Sequence, residues 1–527
     1  MESDFFKLSK KVANRFIQSV VFIDDRAFQV DAVGNTNAFD SNIISSVFAE
    51  SGKICAIYAP KTILDIKTYY PILNKTDVVI LDWRLELANN PGEVLDPEAD
   101  AEFDDHRGKY TIEIIKDLLK DDSDKKLKLI VIYTGDDIAV VKEEIIKAFS
   151  SYHFTEQNFS MQINNVRIVV RGKGEYNDNQ YNHNKVLKGF VVPYQELPNL
   201  ILDEFTKMSS GLVSNYALES ATLIRENTAK ILGIFSPDLD PAYLGHRLLM
   251  ENSSDAKNLL TKLYGEVITE LIESEKINTD KWVDHWLSHN IENRTIKFGS
   301  SELPISNDSL MAILNTAGKL NERIQAATKV SPAKKDIIKC ISHLFQYGEV
   351  NVDDSNIKFA QLTHHKNVIR PIKFAPILTL GTIIKYQKDD KAAYYICIQQ
   401  RCDSVRIPNN DDEKKDRRFL FLPLSSDLKE SNLEGPKSSP IVIDKDTIMH
   451  VCDQSYGIKT IRFKSDESLM VVAKKQDDKW VFESIHGETF EWILDLKDLH
   501  AQRIVNNYCA QLSRVGLNES EWLRLYK

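Results

Sequence analysis

The stretch VVFIDDRAF, residues 20–28, runs three apolar side chains, Val21, Phe22 and Ile23, directly into two adjacent carboxylates, Asp24 and Asp25. Two acids at the end of an apolar run repel each other unless a positive partner holds them. The run itself reads as a strand buried on both faces. Four further runs of the same kind follow: KICAIYA (53–59), DVVILDW (77–83), LKLIVIYTG (127–135) and VRIVVRG (166–172). Helical patterns lie between them at 109–121, 137–149 and 194–208. Buried strands separated by helices imply crossover connections and a parallel sheet, so the predicted class of this part is doubly wound α/β.

The rest of the chain bounds the partners. Formal net charge is -10, with no long basic block, which argues against broad electrostatic capture of nucleic acid. No window approaches the roughly 18 apolar residues of a membrane span. The beginning, MESDFFKLSKKVANRF, does not read as a secretory signal. Six scattered cysteines resemble reduced thiols more than a disulfide framework, and a cytoplasmic protein is expected.

At 527 residues the chain is too long for one core. Three regions are expected: an α/β domain over 1–210 with an acidic insertion at 86–107, an all-α domain over 211–350, and a mainly β domain over 351–527 that ends in a helix. A second polar excursion spans 172–185, and a helix is expected to open at Pro332.

In an open parallel sheet, ligands collect beyond the carboxyl ends of the strands. The predicted strands place Asp24 and Asp25, then Asp82, then Thr134, then Arg171 and Lys173 at that edge. Three carboxylates need a countercharge, and hard oxygen ligands of this type favour Mg²⁺ in an open octahedral site. A carboxylate beside such an ion is a nucleophile for a phosphoryl group, with a lysine to neutralise charge and a hydroxyl to hydrogen-bond the product. Alone, a DD pair is usually a solvated turn; DD, D and TG at successive strand ends are much harder to obtain by chance.

Over roughly residues 18–208 these motifs resemble the receiver domain of bacterial response regulators, a flavodoxin-like fold. The resemblance implies that Asp24 and Asp25 are the acidic metal pair, Asp82 in VVILDWRL the phosphoacceptor and the main-chain carbonyl of Arg84 a third ligand to Mg²⁺. Thr134 in IVIYTGD matches the switch hydroxyl, and Lys173 in VVRGKGE matches the active-site lysine. Gly174 follows Lys173 where receivers usually have proline, so LKGFVVPYQEL, with Lys185 or Lys188, offers a rival alignment, and Arg171 could substitute electrostatically. The segments YYICIQQRCDSVRI, RRFLFLPL and LSRVGLNESEWLRLY resemble large receiver proteins of two-component-like anti-phage operons of the Detocs type. That likeness implies a phosphate sink or buffer fed by a sensor histidine kinase, alongside a sibling receiver-effector protein.

Other constellations read as structural. Cys397, Cys402, His450 and Cys452 could be drawn as a zinc site, but the first pair is widely spaced and buried cysteines are common in β domains. His285 and His289 lack the glutamate of a metalloprotease helix, and Trp282, Trp286 and Leu287 suggest a partly buried one. No nucleotide loop and no catalytic cluster stands out beyond residue 215, so the expectation is a phosphoacceptor rather than an enzyme. A C-terminal effector activity gated by the receiver, or a scaffold with a degenerate receiver, are the alternatives.

Overall fold

The computed structural model describes the chain apart from residues 1, 29–39, 89–107, 121–125, 175–184, 251–255, 276, 278, 299–300, 332–340, 372, 389–390, 408–416, 427–439, 453–456 and 513–527. Two compact units form, one from Met1–Arg294 with Pro304–Lys329 and the other from Thr295–Leu303 with Val330–Lys527. The expected acidic insertion, most of the 172–185 excursion, the start of the helix at Pro332 and nearly all of LSRVGLNESEWLRLY lie outside the described residues.

The first unit opens with α1 (Asp4–Phe16), capped by Ser3, and continues through β1 (Ser19–Ile23), α2 (Ser41–Glu50), β2 (Ile54–Tyr58), α3 (Ile63–Lys75) and β3 (Val78–Leu81). Then come α4 (Lys109–Leu119), β4 (Lys128–Thr134), α5 (Ile138–Ala148), β5 (Thr155–Gln157), β6 (Ser160–Ile163) and β7 (Val166–Lys173). A 3-10 turn (Lys185–Phe190), the short β8 (Val191–Val192) and α6 (Leu197–Ser209) complete the α/β part. Strands β1 to β4 and β7 are parallel in the order β2-β1-β3-β4-β7. This is the flavodoxin-like order, whose switch point lies between β1 and β3. The antiparallel pair β6 and β5 extends the sheet beyond β7, a feature the apolar runs did not signal.

The continuous apolar runs have a direct cause, because successive strand residues face opposite sides. Val21, Ile23, Val79, Leu81, Ile130 and Ile132 pack into the core on one face with α3, α4 and α5. Val20, Phe22, Val78, Ile80, Leu129 and Val131 pack on the other with α1, α2 and α6. Helices cover both faces, so no position of β3 can be polar.

The same unit includes α7 (Leu212–Ile234), α8 (Asp240–Leu249), α9 (Ala256–Ser274), α10 (Thr279–Asn290), α11 (Asn307–Asn315) and α12 (Leu320–Thr328). In α10 the residues Trp282, Trp286 and Leu287 are buried. Helix α1 packs on α6, α7 and α10. Arg15 on α1 pairs with Glu219 and, at 2.6 Å, with Glu226 on α7. Arg225 on α7 lies over the Phe16 ring and reaches Asp77 at 2.8 Å, just before β3. Between α10 and α11 the chain forms a strand pair, β9 (Arg294–Phe298) and β10 (Ser301–Ile305), most of which belongs to the second unit.

The C-terminal unit departs from an immediate β pattern after residue 351, since α13 (Val352–His364) comes first, capped by Asn351. The sheet follows with β11 (Thr382–Lys388), β12 (Lys391–Cys397), β13 (Arg417–Ser425), β14 (Ile441–Val442) and β15 (Ile448–Val451). It continues through β16 (Lys459–Phe463), β17 (Lys474–Gln476), β18 (Lys479–Glu483) and β19 (Thr489–Asp495), and α14 (Asp498–Leu512) ends the described chain. All its pairings are antiparallel, in the order β14-β15-β13-β12-β11-β19-β18-β17. Strand β16 pairs with β13, and Phe463 at its end bridges to Ser484 beside β18. These links curl the sheet into a small barrel-like circuit. Inside lie Phe419, Phe421, Phe463, Phe482 and Phe490, with Cys397 among them; outside, α14 covers Ile383, Ile396 and Leu494.

Candidate functional site

Asp24, Asp25 and Asp82 meet at the β1/β3 switch point, with one oxygen of each lying within 4.8 Å of the others. Their placement follows from pairing: Ile23 is the register partner of Leu81, so the residues after each strand emerge side by side. The three are 1%, 4% and 8% exposed. Among the described residues this is the group of acids, histidines and cysteines that could hold a metal ion.

Lys173 closes the cluster. Its Nζ is 2.8 Å from Asp24 Oδ2 and 3.0 Å from Asp82 Oδ1. The register carries it there, because Thr134 pairs with Gly172 and Lys173 is the next residue of β7. Burial opposes the lysine's charge, but Asp82 and Asp24 outweigh it and raise its pKa. Asp82 is pushed up to about 6 by burial and by the neighbouring Asp24 and Asp25, against the pull of Lys173. Burial and then Asp24 also raise Asp25. Lys173 is thus the cation bonded within the cluster, and Arg26 pulls more weakly on Asp25. Asp25 Oδ1 is buried and has no hydrogen-bond partner, which fits a ligand oxygen for a hard cation.

The surrounding bonds fix these groups. Arg26 N donates to Asp24 Oδ1 at 2.9 Å, and Trp83 N donates to Asp82 Oδ1 at 3.0 Å. Lys61 Nζ donates to the Asp25 carbonyl at 2.6 Å, and Thr111 Oγ1 to the Asp82 carbonyl at 2.8 Å. Thr134 is 1% exposed at the end of β4, and its hydroxyl oxygen accepts from Asp136 N at 3.0 Å. Asp136 in turn receives the Arg84 guanidinium at 2.7 Å.

The rival cations are elsewhere. Arg171 donates to Glu204 at 2.8 Å within a buried network that includes Arg167, so it does not serve the acidic cluster. Lys188 is exposed on the 3-10 turn, and the Lys185 side chain lies outside the described residues. The rival stretch does reach the sheet: Val191 and Val192 form β8 beside Gly172 and Lys173.

Residues 16–178 match the family model of the response receiver domain. This part of the chain is a receiver domain. No curated protein and no solved structure matches the chain.

The receiver site also holds residues that the motifs did not flag. Tyr194 follows β8, and burial pushes its phenol up to about 12, with Lys173, Asp24 and Asp82 all close enough to act on it. Gly108 adopts φ +80°, and the Trp83 ring lies where a Cβ would be, 2.0 Å from the nearest ring atom. Trp83 is 1% exposed and directly follows Asp82, so this glycine supports the site through one intermediary. Neither has a sequence signal beyond its neighbours. The drawn zinc site finds no support among the described residues, since Cys397 is buried in the barrel and burial pushes its thiol up to about 12.

Proposed function

We propose that the chain is a response-regulator-like phosphoacceptor that takes a phosphoryl group from a partner histidine kinase onto Asp82. The observation that carries this reading is the Asp24, Asp25, Asp82 and Lys173 cluster, in which three carboxylates share one lysine and one buried carboxylate oxygen has no partner. The residues fit a hard divalent ion, and Mg²⁺ would be held by Asp24, Asp25, Asp82 and the Arg84 carbonyl. Bound there, it supplies charge neutralisation for the transferring phosphoryl oxygens.

The chain's own residues do the rest. Asp82 presents the nucleophilic carboxylate, held in place by the Trp83 amide. Lys173 pairs with it and is positioned to neutralise the incoming negative charge. Thr134 would leave the Asp136 amide to hydrogen-bond the new phosphate, which carries well over one negative charge.

We read the remainder as binding the kinase or a further partner rather than turning over a substrate, so that the protein drains phosphate as a sink or buffer in a two-component-like defence system. The support for this finer role is the likeness of YYICIQQRCDSVRI and RRFLFLPL to large receiver proteins of such systems. A receiver-gated C-terminal effector is the competing reading, and a degenerate receiver on a scaffold is the third.

Incubation with acetyl phosphate and Mg²⁺, followed by intact-mass measurement, tests the acceptor. The parent should gain one phosphoryl group and Asp82→Asn should gain none; equal labelling of both would remove Asp82 from the role. Phosphotransfer from the partner kinase, with the phosphoryl group retained without any new C-terminal activity, would separate a sink from a gated effector.

A further inference from the structure

The C-terminal unit contains an open cleft of about 700 Å³ between the end of α13 and the first turns of α14. Lys366, Lys497 and Arg503 line it with one acid, Asp498, and two histidines, His364 and His500. Asp498 is already matched, by Lys366 at 3.4 Å and by Arg401. The lining therefore carries an excess of positive charge, and the N-terminus of a 15-residue helix adds to it.

The histidines supply a second and independent sign. Arg503 Nη2 is 2.8 Å from His500 Nδ1. A guanidinium can only donate, so Nδ1 must accept, and the ring proton of the neutral imidazole resides on Nε2. That N–H is buried and has no partner, while His500 as a whole is 8% exposed. Burial, then the neighbouring His364 and Arg503, lower His500 to about 4, consistent with the neutral ring. A buried donor among cations lacks an acceptor, and an anion supplies one. The His364 Nδ1 atom is likewise buried and unpartnered.

The size and walls narrow the ligand. The volume exceeds what a lone phosphate fills and lies within the range of small-molecule sites. The two imidazoles stack with centroids 4.1 Å apart and planes 6° from parallel, and Leu499 beside them is 89% exposed. A planar aromatic and apolar wall next to an anion site suits a base joined to phosphates.

We propose that this cavity binds a nucleotide, with its phosphates on Arg503, Lys366, Lys497 and the His500 Nε2 proton and its base against the imidazole and Leu499 wall. This site is independent of the phosphoacceptor at Asp82. Calorimetric titration of the full chain with ADP, pyrophosphate and adenosine tests it. ADP should bind, pyrophosphate more weakly and adenosine more weakly still. Arg503→Gln and Lys366→Gln should each weaken ADP by about tenfold or more, the loss of a charge-assisted bond. Lys475→Gln, on the β17/β18 hairpin, should leave it unchanged. Circular dichroism reports folding of each variant; if Arg503→Gln fails to fold, Lys366→Gln carries the test. Absence of ADP binding at millimolar concentration, or unchanged affinity in the folded variants, would overturn the site. Pyrophosphate binding as tightly as ADP would overturn the nucleotide assignment.

Discussion

Replacing Asp82 with asparagine should stabilise the N-terminal unit near neutral pH when divalent ions are absent. The ionised parent holds three carboxylates against one lysine, and the folded pKa of Asp82 is about 6 against an ordinary 3.8. A carboxylate raised in the folded state contributes its stability below the unfolded value and loses it as pH rises through the folded one. At about 1.4 kcal/mol per pH unit, the parent loses up to about 3 kcal/mol between pH 4 and pH 7 from this group. Asparagine avoids that loss and keeps an oxygen for the Trp83 amide, while Lys173 keeps Asp24 at 2.8 Å. The pull of Lys173 is already contained in that pKa, so the variant's advantage is up to about 3 kcal/mol. Urea unfolding of the two proteins in EDTA, followed by the protection of β1 and β3 amides, measures it. The variant's advantage should be absent at pH 4 and full at pH 7.5. Mg²⁺ at a hundredfold excess over Kd should stabilise the parent by about 2.7 kcal/mol and the variant, which lacks one carboxylate ligand, by less. A variant less stable than the parent at pH 7.5 in EDTA, or equal stabilisation of both by Mg²⁺, would refute the reasoning.

Gly108→Ala should destabilise the same unit by at least about 2–4 kcal/mol, combining left-handed backbone strain with a clash against Trp83, and should slow phosphorylation of Asp82; denaturation and the acetyl phosphate assay report the two effects. Glu204→Gln should cost about 3–5 kcal/mol, because Arg167 and Arg171 lose their buried counterion. The Glu204 pKa is lowered, with Lys207 and the two arginines outweighing burial, so this contribution is present above the unfolded value near 4.5 and is lost as pH falls. Lys128→Met should cost about 1–3 kcal/mol by orphaning carbonyls at the end of α3, where Nζ donates to Leu73 O at 2.6 Å and to Thr76 O. Burial lowers Lys128 to about 8, so the parent should gain stability relative to Lys128→Met as pH rises from about 8 toward 10.5.

The parallel core and its acids were legible because burial on both faces leaves no room for polar residues within β3, so the first charge after it, Asp82, marks the strand's end. No local pattern separates Lys173 from Lys185 or Lys188. The stretch VLKGFVV looks like a final strand because part of it is one, and only the pairing of Thr134 with Gly172 shows which lysine reaches the acids. The β5/β6 addition went unread because its strands are three and four residues long and its turns rest on left-handed Asn158 and Asn164. The circuit of the C-terminal sheet depends on β16 pairing with β13 across more than thirty residues of chain, which no local pattern encodes. Nor does spacing reveal the His364 and His500 stack, whose members lie at opposite ends of the sheet sequence.

The helical part of the first unit is anchored at the end of the sheet away from the acids. Asp77 precedes β3 and accepts from Gln18 N, Ser19 N and Arg225, whereas Asp82 follows the same strand. A four-residue strand advances about 13 Å, and all four residues of β3 are fully buried. The charge that phosphorylation adds therefore lies at the opposite end of β3 from the contact between Asp77 and Arg225. The movable route is the loop edge, where Thr134 holds the Asp136 amide and Asp136 holds Arg84. If Thr134 turns toward a phosphoryl group on Asp82, that amide loses its acceptor and the Arg84 contact loses its brace. The change then appears at Arg84 and Asp136, on the edge of the sheet a phosphodonor must approach, rather than at the anchored end.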